Sequence, residues 1–90
     1  MYNLVISPGA DRDIEKLRRR ITANDFRRIA DTIENLSSNP HPKGVRKIFG
    51  LENLFRIRVG RYRIVFERLD KTQTVYIVEV VRRSESTYDF

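Results

Sequence analysis

Apolar and basic residues alternate along positions 54–66, and Gly60 divides the alternation into two runs. Such alternation is typical of a β-strand with one buried face, so the two runs predict an antiparallel hairpin. A two-residue loop, Gly60-Arg61, with glycine at its first central position suits a type II′ turn and fixes the register. The register pairs residues across the turn: Val59 with Tyr62, Arg58 with Arg63, Ile57 with Ile64, Arg56 with Val65 and Phe55 with Phe66.

This register divides the hairpin into an apolar face and a basic face. The apolar face carries Phe55, Ile57, Val59, Tyr62, Ile64 and Phe66. The basic face, called the arginine face below, carries Arg56, Arg58 and Arg63. Like charges directly opposite each other destabilise a sheet, so the Arg58–Arg63 pair indicates an anion bound between the two side chains. The alternative is a basic sheet face that only water contacts.

Residues 2–40 predict a strand followed by two helices. The strand at 2–7 ends where Ser7 suits a helix N-cap and Pro8 suits the first turn. Helical spacing then gives the first helix one apolar stripe: Ala10, Ile14, Leu17 and Ile21. Thr22 and Asp25 resemble a capping box with aspartate in place of glutamate. The second helix has a stripe of its own: Phe26, Ile29, Ala30, Ile33 and Leu36. We expect the two amphipathic helices to form an antiparallel hairpin.

The remaining pattern completes an α+β layout. Residues 40–44 predict a loop, residues 70–73 a polar turn, and residues 74–82 a last strand. Residues 1–90 are therefore expected to form one small domain with an N-terminal strand, a helical hairpin and a three-stranded antiparallel meander, the helices packed on one face of the sheet. The helices need an apolar face to cover, so the arginine face is expected to stay open to solvent or ligand.

The last strand is harder to orient, because both of its faces contain valines. Burying Glu79 under the helices would cost several kcal/mol unless it were paired. This argument places Glu79 and Arg83 on the arginine face, and it places three residues in the core: Tyr76, Val78 and Val80. A four-residue turn at 70–73 would give the opposite register.

Composition narrows the possible chemistry. A formal charge of +6 over 90 residues makes polyanions the natural partners, and no apolar run approaches the length of a membrane span. The absence of cysteine excludes disulfides, thiolate metal sites and a cysteine nucleophile, and it fits a cytoplasmic protein. His41, the one histidine, is interpreted as incidental, and neither a metal nor a cofactor is expected. Any catalysis therefore depends on Arg, Lys, Tyr, Glu and the backbone.

Four short motifs in this order resemble the RelE/ParE superfamily of type II toxins, over nearly the whole chain. They are Phe55-Arg-Ile-Arg58, Gly60-Arg-Tyr-Arg63, Ile64-Val-Phe66, and Arg82-Arg83 followed by Tyr88. The RelE-like branch implies a ribosome-dependent mRNA endoribonuclease that cuts in the A site by attack of a ribose 2′-hydroxyl, inhibits translation and needs no metal. It also implies a cytoplasmic location, the mRNA-loaded ribosome as target, and a RelB-like antitoxin with an acidic segment as partner.

The resemblance also implies roles for individual residues. The catalytic positions match Arg56, Arg58, Arg63, Arg83 and Tyr88. Basic residues expected to contact the RNA are Arg46, Lys47, Arg61 and Arg82. The spacing to Tyr88 is one residue shorter than in some relatives, which leaves Arg82 and Arg83 interchangeable, and the general base is not identified. Two alternatives stay open: a ParE-like poison of DNA gyrase, and a non-catalytic relative that binds nucleic acid or antitoxin.

Overall fold

The predicted hairpin around Gly60 is present with the predicted register. The structure, a computed structural model, describes residues 1–86 of the chain. Strands β3 (Leu54–Val59) and β4 (Tyr62–Leu69) pair as expected from Val59–Tyr62 to Phe55–Phe66. Gly60 has a φ of +58°, a backbone conformation that residues with a Cβ rarely adopt. A glycine at this position therefore determines which residues share the arginine face.

The other elements give the expected α+β architecture, with one strand more than predicted. They are β1 (Asn3–Ile6), α1 (Pro8–Arg20), α2 (Ala23–Ser38), β2 (Arg46–Lys47), β5 (Thr74–Arg82) and a 3₁₀ turn at Arg83–Glu85. Within residues 1–86 the sheet has the order β1-β5-β4-β3-β2, in which β1 is parallel to β5 and the other pairs are antiparallel. Neither helix of the described chain is long and apolar enough to span a membrane.

Both helices begin at the predicted caps. The Ser7 hydroxyl accepts a hydrogen bond from the Ala10 amide at 3.0 Å, and the Thr22 hydroxyl accepts one from the Asp25 amide at 3.1 Å. These bonds satisfy amide groups that have no partner inside a helix, which stabilises each helix by about 1 kcal/mol. The first turn of each helix is therefore fixed by its own cap.

The core lies between the helices and the apolar face of the hairpin. The helices contribute Ala10, Leu17, Ile29, Ile33 and Leu36. The sheet contributes Ile57, Val59, Tyr62, Ile64, Phe66, Val75, Ile77 and Val80. Because the helices cover this face, the arginine face lies on the other side of the sheet, as predicted.

The orientation of β5 is a correction to the sequence interpretation. Val80 lies in the core and Glu79 on the arginine face, as expected, but Tyr76 and Val78 are only half-buried. The ladder shifts by one residue, because Val65 pairs with Glu79 while its neighbour Phe66 pairs with Ile77. The extra residue is a β-bulge. It allows Val75 and Ile77 before the bulge, and Val80 after it, to face the helices.

Polar side chains near α1 hold the bulge in place. The Ser7 hydroxyl donates a hydrogen bond to the Val78 carbonyl at 3.3 Å, and the Val80 amide donates one to the Asp13 carboxylate at 3.0 Å. Both backbone groups lie beyond Ile77, the last residue of β5 that pairs with β1. Burial raises the pKa of the Asp13 carboxyl above its ordinary value, against the lowering effect of the Val80 amide. The α1 helix therefore fixes the second half of β5, which leads to the basic residues at its end.

Strand β2 was not predicted. It is a two-residue edge strand in which Arg46 pairs with Arg56 and Lys47 with Phe55. A segment of two basic residues has no apolar alternation, so nothing in its own sequence indicates pairing. The strand matters because it brings Arg46 beside the arginine face.

Candidate active site

Five arginines surround one cavity at the hairpin end of the sheet. The cavity has a volume of about 380 Å³ and is lined by Arg58, Arg61, Arg63, Arg82, Arg83 and Ser84. Five arginine residues around so small a space create a strongly positive potential in a concave site. The cavity is therefore suited to an anion, and a phosphate group matches the fork of donors that each guanidinium presents.

Three strand ends and two turns supply these residues. Arg58 and Arg63 lie on either side of the Gly60 turn, whereas Arg82 ends β5 and Arg83 begins the 3₁₀ turn. The Arg83 amide donates a hydrogen bond to the Arg61 carbonyl at 2.9 Å. This bond joins the end of β5 to the hairpin turn, so the two groups of arginines are held together by backbone.

Arg63 forms a buried part of the cavity wall. Only 2% of the residue is exposed, although it faces away from the helices, whereas Arg58, Arg82 and Arg83 are exposed. The expectation that the arginine face is open is therefore wrong at its centre, where Val65 is also fully buried. An arginine held by surrounding atoms loses little side-chain entropy when it binds a ligand.

Glu79 is a second buried charged residue on this face. The residue is 8% exposed and lies on the arginine face, diagonal to Arg63 in the β4–β5 ladder. The Ser86 hydroxyl donates a hydrogen bond to the Glu79 carboxylate at 2.9 Å. The chain after β5 therefore turns back over the sheet instead of continuing away from it.

Arg56 lies next to the cavity without lining it. It is half-buried, and burial is the main reason that its pKa is lowered, with further lowering by the charges of Arg58, Arg63, Arg46 and Arg83. These four cations therefore lie near Arg56 on one side of the sheet. A lowered pKa does not make a guanidinium a base, because its ordinary value is so high that it stays protonated.

The predicted site residues thus fall into four groups. The structure brings together Arg58, Arg61, Arg63, Arg82 and Arg83, and it places Arg56 and Arg46 beside them. Lys47 pairs with Phe55 and does not line the cavity. Tyr88 lies outside the described residues. Both Arg82 and Arg83 line the cavity, so the structure retains both candidates for the arginine after the last strand.

Two features were missed in the sequence. Ser84 lines the cavity, and a lone serine after two arginines carries no signal that would identify it. The Arg46–Arg56 pair depends on β2, which has no recognisable pattern.

His41 is exposed and its backbone amide donates to the Asn39 side chain at 3.2 Å. No group of three His, Cys, Asp or Glu side chains that could hold a metal ion occurs in residues 1–86.

Comparison with known proteins gives consistent results. Residues 4–87 match the model of the ParE toxin of type II toxin–antitoxin systems. The chain is 33% identical over 85 residues to Toxin RelE of Mycobacterium tuberculosis. The aligned region covers 94% of this chain and 84% of that protein.

Two solved structures show the same fold. One is the RelE–RelB complex of Pyrococcus horikoshii, with a TM-score of 0.76, 21% identity and coverage of 94% of this chain and 98% of the other. The second is the RelB–RelE complex of Methanococcus jannaschii, with a TM-score of 0.71, 26% identity and coverage of 89% and 91%. The family match extends over most of the residues that form the sheet and the cavity, and the chain therefore belongs to the ParE-toxin family of type II toxin–antitoxin systems, within the RelE/ParE superfamily.

Proposed function

We propose that this toxin is a metal-independent endoribonuclease that cleaves mRNA in the ribosomal A site and so inhibits translation in the cytoplasm. The observation that carries the proposal is the cavity of five arginines, which is suited to the phosphate of an RNA backbone. A 2′-hydroxyl beside that phosphate supplies the nucleophile, so the protein needs neither a nucleophile of its own nor a metal.

The reaction proceeds by transfer within the RNA. The ribose 2′-hydroxyl gives up its proton to solvent as its oxygen attacks the adjacent phosphorus. The bond from phosphorus to the 5′-oxygen breaks, and the 5′-oxygen takes up a proton from solvent, so that no proton is consumed overall. The products are a 2′,3′-cyclic phosphate and a 5′-hydroxyl end. Negative charge grows on the phosphoryl oxygens during attack, and preorganised cations that stabilise such charge are usually the largest contribution to catalysis.

The arginines divide this work according to their placement. Arg63, held in the wall, and Arg83, held close to the hairpin turn, stabilise the phosphorane. Arg58 and Arg56 position the backbone, and Arg82 is the alternative to Arg83. Tyr88 stacks on a base or transfers a proton. The described residues contain no histidine in the cavity, and a guanidinium is a poor base. Dependence on the ribosome to orient the 2′-hydroxyl explains how so sparse a site works.

The same cavity is the proposed contact for an antitoxin. RelE-type relatives have been solved as complexes with RelB antitoxins. A chain with a net charge of +6 and a cluster of arginines binds an acidic segment well, because a disordered segment can fold along a basic surface. An antitoxin carboxylate in the cavity would exclude the RNA phosphate, and this competition would silence the toxin.

A second candidate function is poisoning of DNA gyrase. Its support is the family model that matches the chain, which describes a ParE toxin. Against it, ParE-like members generally lack the basic catalytic set, whereas this chain places five arginines around one cavity. A third possibility, a relative without activity, would use the cavity only to bind nucleic acid or antitoxin.

A reconstituted translation system separates these functions. Purified toxin added to ribosomes programmed with a defined mRNA should produce fragments with 2′,3′-cyclic phosphate and 5′-hydroxyl ends, and the same mRNA without ribosomes should stay intact. An Arg58→Gln variant should produce few fragments. Intact mRNA, together with cleaved DNA in a gyrase assay, would replace the ribonuclease proposal by the gyrase proposal.

A further inference from the structure

The loop between β2 and β3 presents an aromatic ring to solvent. Phe49 is 92% exposed, and among the large apolar residues of the described chain only the terminal Met1 is exposed to the same extent. Full exposure of a phenylalanine forgoes the stabilisation that burying its ring would provide. The cavity described above does not include Phe49, so the proposed reaction gives no reason for its exposure.

The loop backbone holds Phe49 in this position. Its neighbour Ile48 is 4% exposed, and the Ile48 amide donates a hydrogen bond to the Leu54 carbonyl at 2.9 Å. The Leu51 amide donates in turn to the Ile48 carbonyl at 3.2 Å, around Gly50 with a φ of +80°. Anchors on both sides therefore fix the turn that contains Phe49.

Cations connect this loop to the arginine cavity. Arg46 and Lys47, both exposed, come just before the loop, and Arg46 pairs with Arg56. Arg58, which lines the cavity, is two residues further along β3. At about 3.3 Å per strand residue, Phe49 and Arg58 lie roughly 16 Å apart when the distance is measured along the strand direction. Arg56 and Arg46 therefore continue the positive charge of the arginine face from the cavity to the edge strand, whereas Lys47, paired with Phe55, belongs to the other face. The exposed ring lies beyond Arg46.

We propose that Phe49 is a stacking platform for a base of the RNA strand whose phosphate occupies the arginine cavity. This inference rests on the proposed ribonuclease function and extends it to nucleotides away from the cleaved bond. Exposed aromatic rings beside a basic track are the combination by which proteins hold single-stranded nucleic acid. An apolar protein partner fits less well, because the centres of protein interfaces are depleted of charged residues and Arg46 and Lys47 adjoin the loop.

A tryptophan at position 49 provides a direct probe, because the chain contains no other tryptophan. The Phe49→Trp protein should be titrated with single-stranded 2′-O-methyl RNA, which lacks the attacking hydroxyl and is not cleaved. We expect a ten-nucleotide strand to quench the indole fluorescence, because a stacked base contacts the ring. A dinucleotide is too short to reach from the cavity to the loop, and it should quench weakly.

Affinities of further variants distinguish stacking from general apolar contact. Phe49→Ala should weaken binding of the ten-nucleotide strand about 5- to 150-fold, the range expected for one stacked base. Phe49→Leu should lose nearly as much, since leucine has no π face. Leu51→Ala is the matched control, because Leu51 belongs to the same loop and is 37% exposed; it should bind like the parent.

Two results would overturn the inference. Binding by Phe49→Leu as tight as that of the parent would show apolar docking instead of stacking. Absence of quenching with the ten-nucleotide strand would show that Phe49 is not a stacking platform. The proposed ribonuclease function would still stand in that case if the Phe49→Ala protein cleaved mRNA on ribosomes. Conversely, quenching without any cleavage by the parent would retain the platform and reject the ribonuclease proposal.

Discussion

Arg63 combines a permanent charge, near-complete burial and a place in the cavity wall. A buried charge is expensive unless surrounding groups compensate it, so substitution of Arg63 should disturb the groups packed around it. Arg58, directly opposite in the ladder, is exposed. The two arginines should therefore respond differently to substitution, although both belong to the same proposed site.

Substitution of Arg58 should separate activity from stability. Arg58→Gln removes the like charge opposite Arg63, so the free energy of unfolding should stay within about 0.5 kcal/mol of the parent or rise slightly. Growth arrest on induction should be strongly reduced. Thermal unfolding and growth curves measure the two effects. Arg27→Gln, on the exposed surface of α2, is the control and should keep full toxicity. Full toxicity of Arg58→Gln would contradict the assignment.

Substitution of Arg63 should affect both properties. Arg63→Ala removes a side chain that fills a buried position, and we expect a destabilisation of about 1–3 kcal/mol in addition to loss of toxicity. Denaturant unfolding at neutral pH measures the first effect. A variant as stable as the parent would show that burial of Arg63 contributes little to folding.

At the scale of elements, the hairpin could be predicted and the bulge could not. Gly60 and the alternation around it are local signals, and together they specify the β3–β4 register. The bulge at Val78 depends on a hydrogen bond donated by the Ser7 hydroxyl and on one accepted by the Asp13 carboxylate, and both residues lie more than sixty positions earlier in the chain. The cost of burying Glu79 under the helices correctly predicted that this residue lies on the arginine face. The same argument could not predict a change of register within one strand.

The contact between α1 and β5 should make stability depend on pH. Burial raises the pKa of Asp13, so the folded state favours the protonated carboxyl more than the unfolded state does. The parent should therefore lose stability as the pH rises from the ordinary value of about 3.9 through the raised folded pKa. Asp13→Asn keeps an oxygen acceptor for the Val80 amide and does not titrate.

The prediction concerns the difference in stability between the parent and Asp13→Asn, because other carboxyl groups titrate equally in both proteins. Asp13→Asn should gain stability relative to the parent as the pH rises through this window, as measured by thermal unfolding at a series of pH values. A constant difference between the two proteins would show that Asp13 titrates normally in the folded chain.

The cavity unites three strands, and phosphate should stabilise their arrangement. An anion that binds only the folded state contributes about 2.7 kcal/mol at a hundredfold excess over its Kd. Phosphate should therefore raise the Tm more than chloride does at equal ionic strength. Because some anions stabilise proteins by exclusion from their surfaces, Arg58→Gln is needed as a control and should lose the phosphate-specific part. Equal responses of parent and variant would indicate an ordinary solvated surface.

At the scale of the whole molecule, the fold separates stability from function. The helices cover one face of the sheet, and the arginines gather on the other face, where five of them meet at the ends of β3, β4 and β5. Charge and periodicity made this division predictable. The burial of Arg63 was not predictable, because strand alternation alone placed it on the open face. The pairing of Arg46 with Arg56 was not predictable either, because β2 has no pattern of its own.

We propose that the arginine cavity cleaves mRNA on the ribosome. Mapping of mRNA ends in cells after brief induction of the toxin tests this proposal most directly. We expect new 5′-hydroxyl ends inside translated regions, in frame with the codons, and we expect them to disappear with Arg58→Gln. Intact mRNA, together with DNA breaks held by gyrase, would contradict the claim.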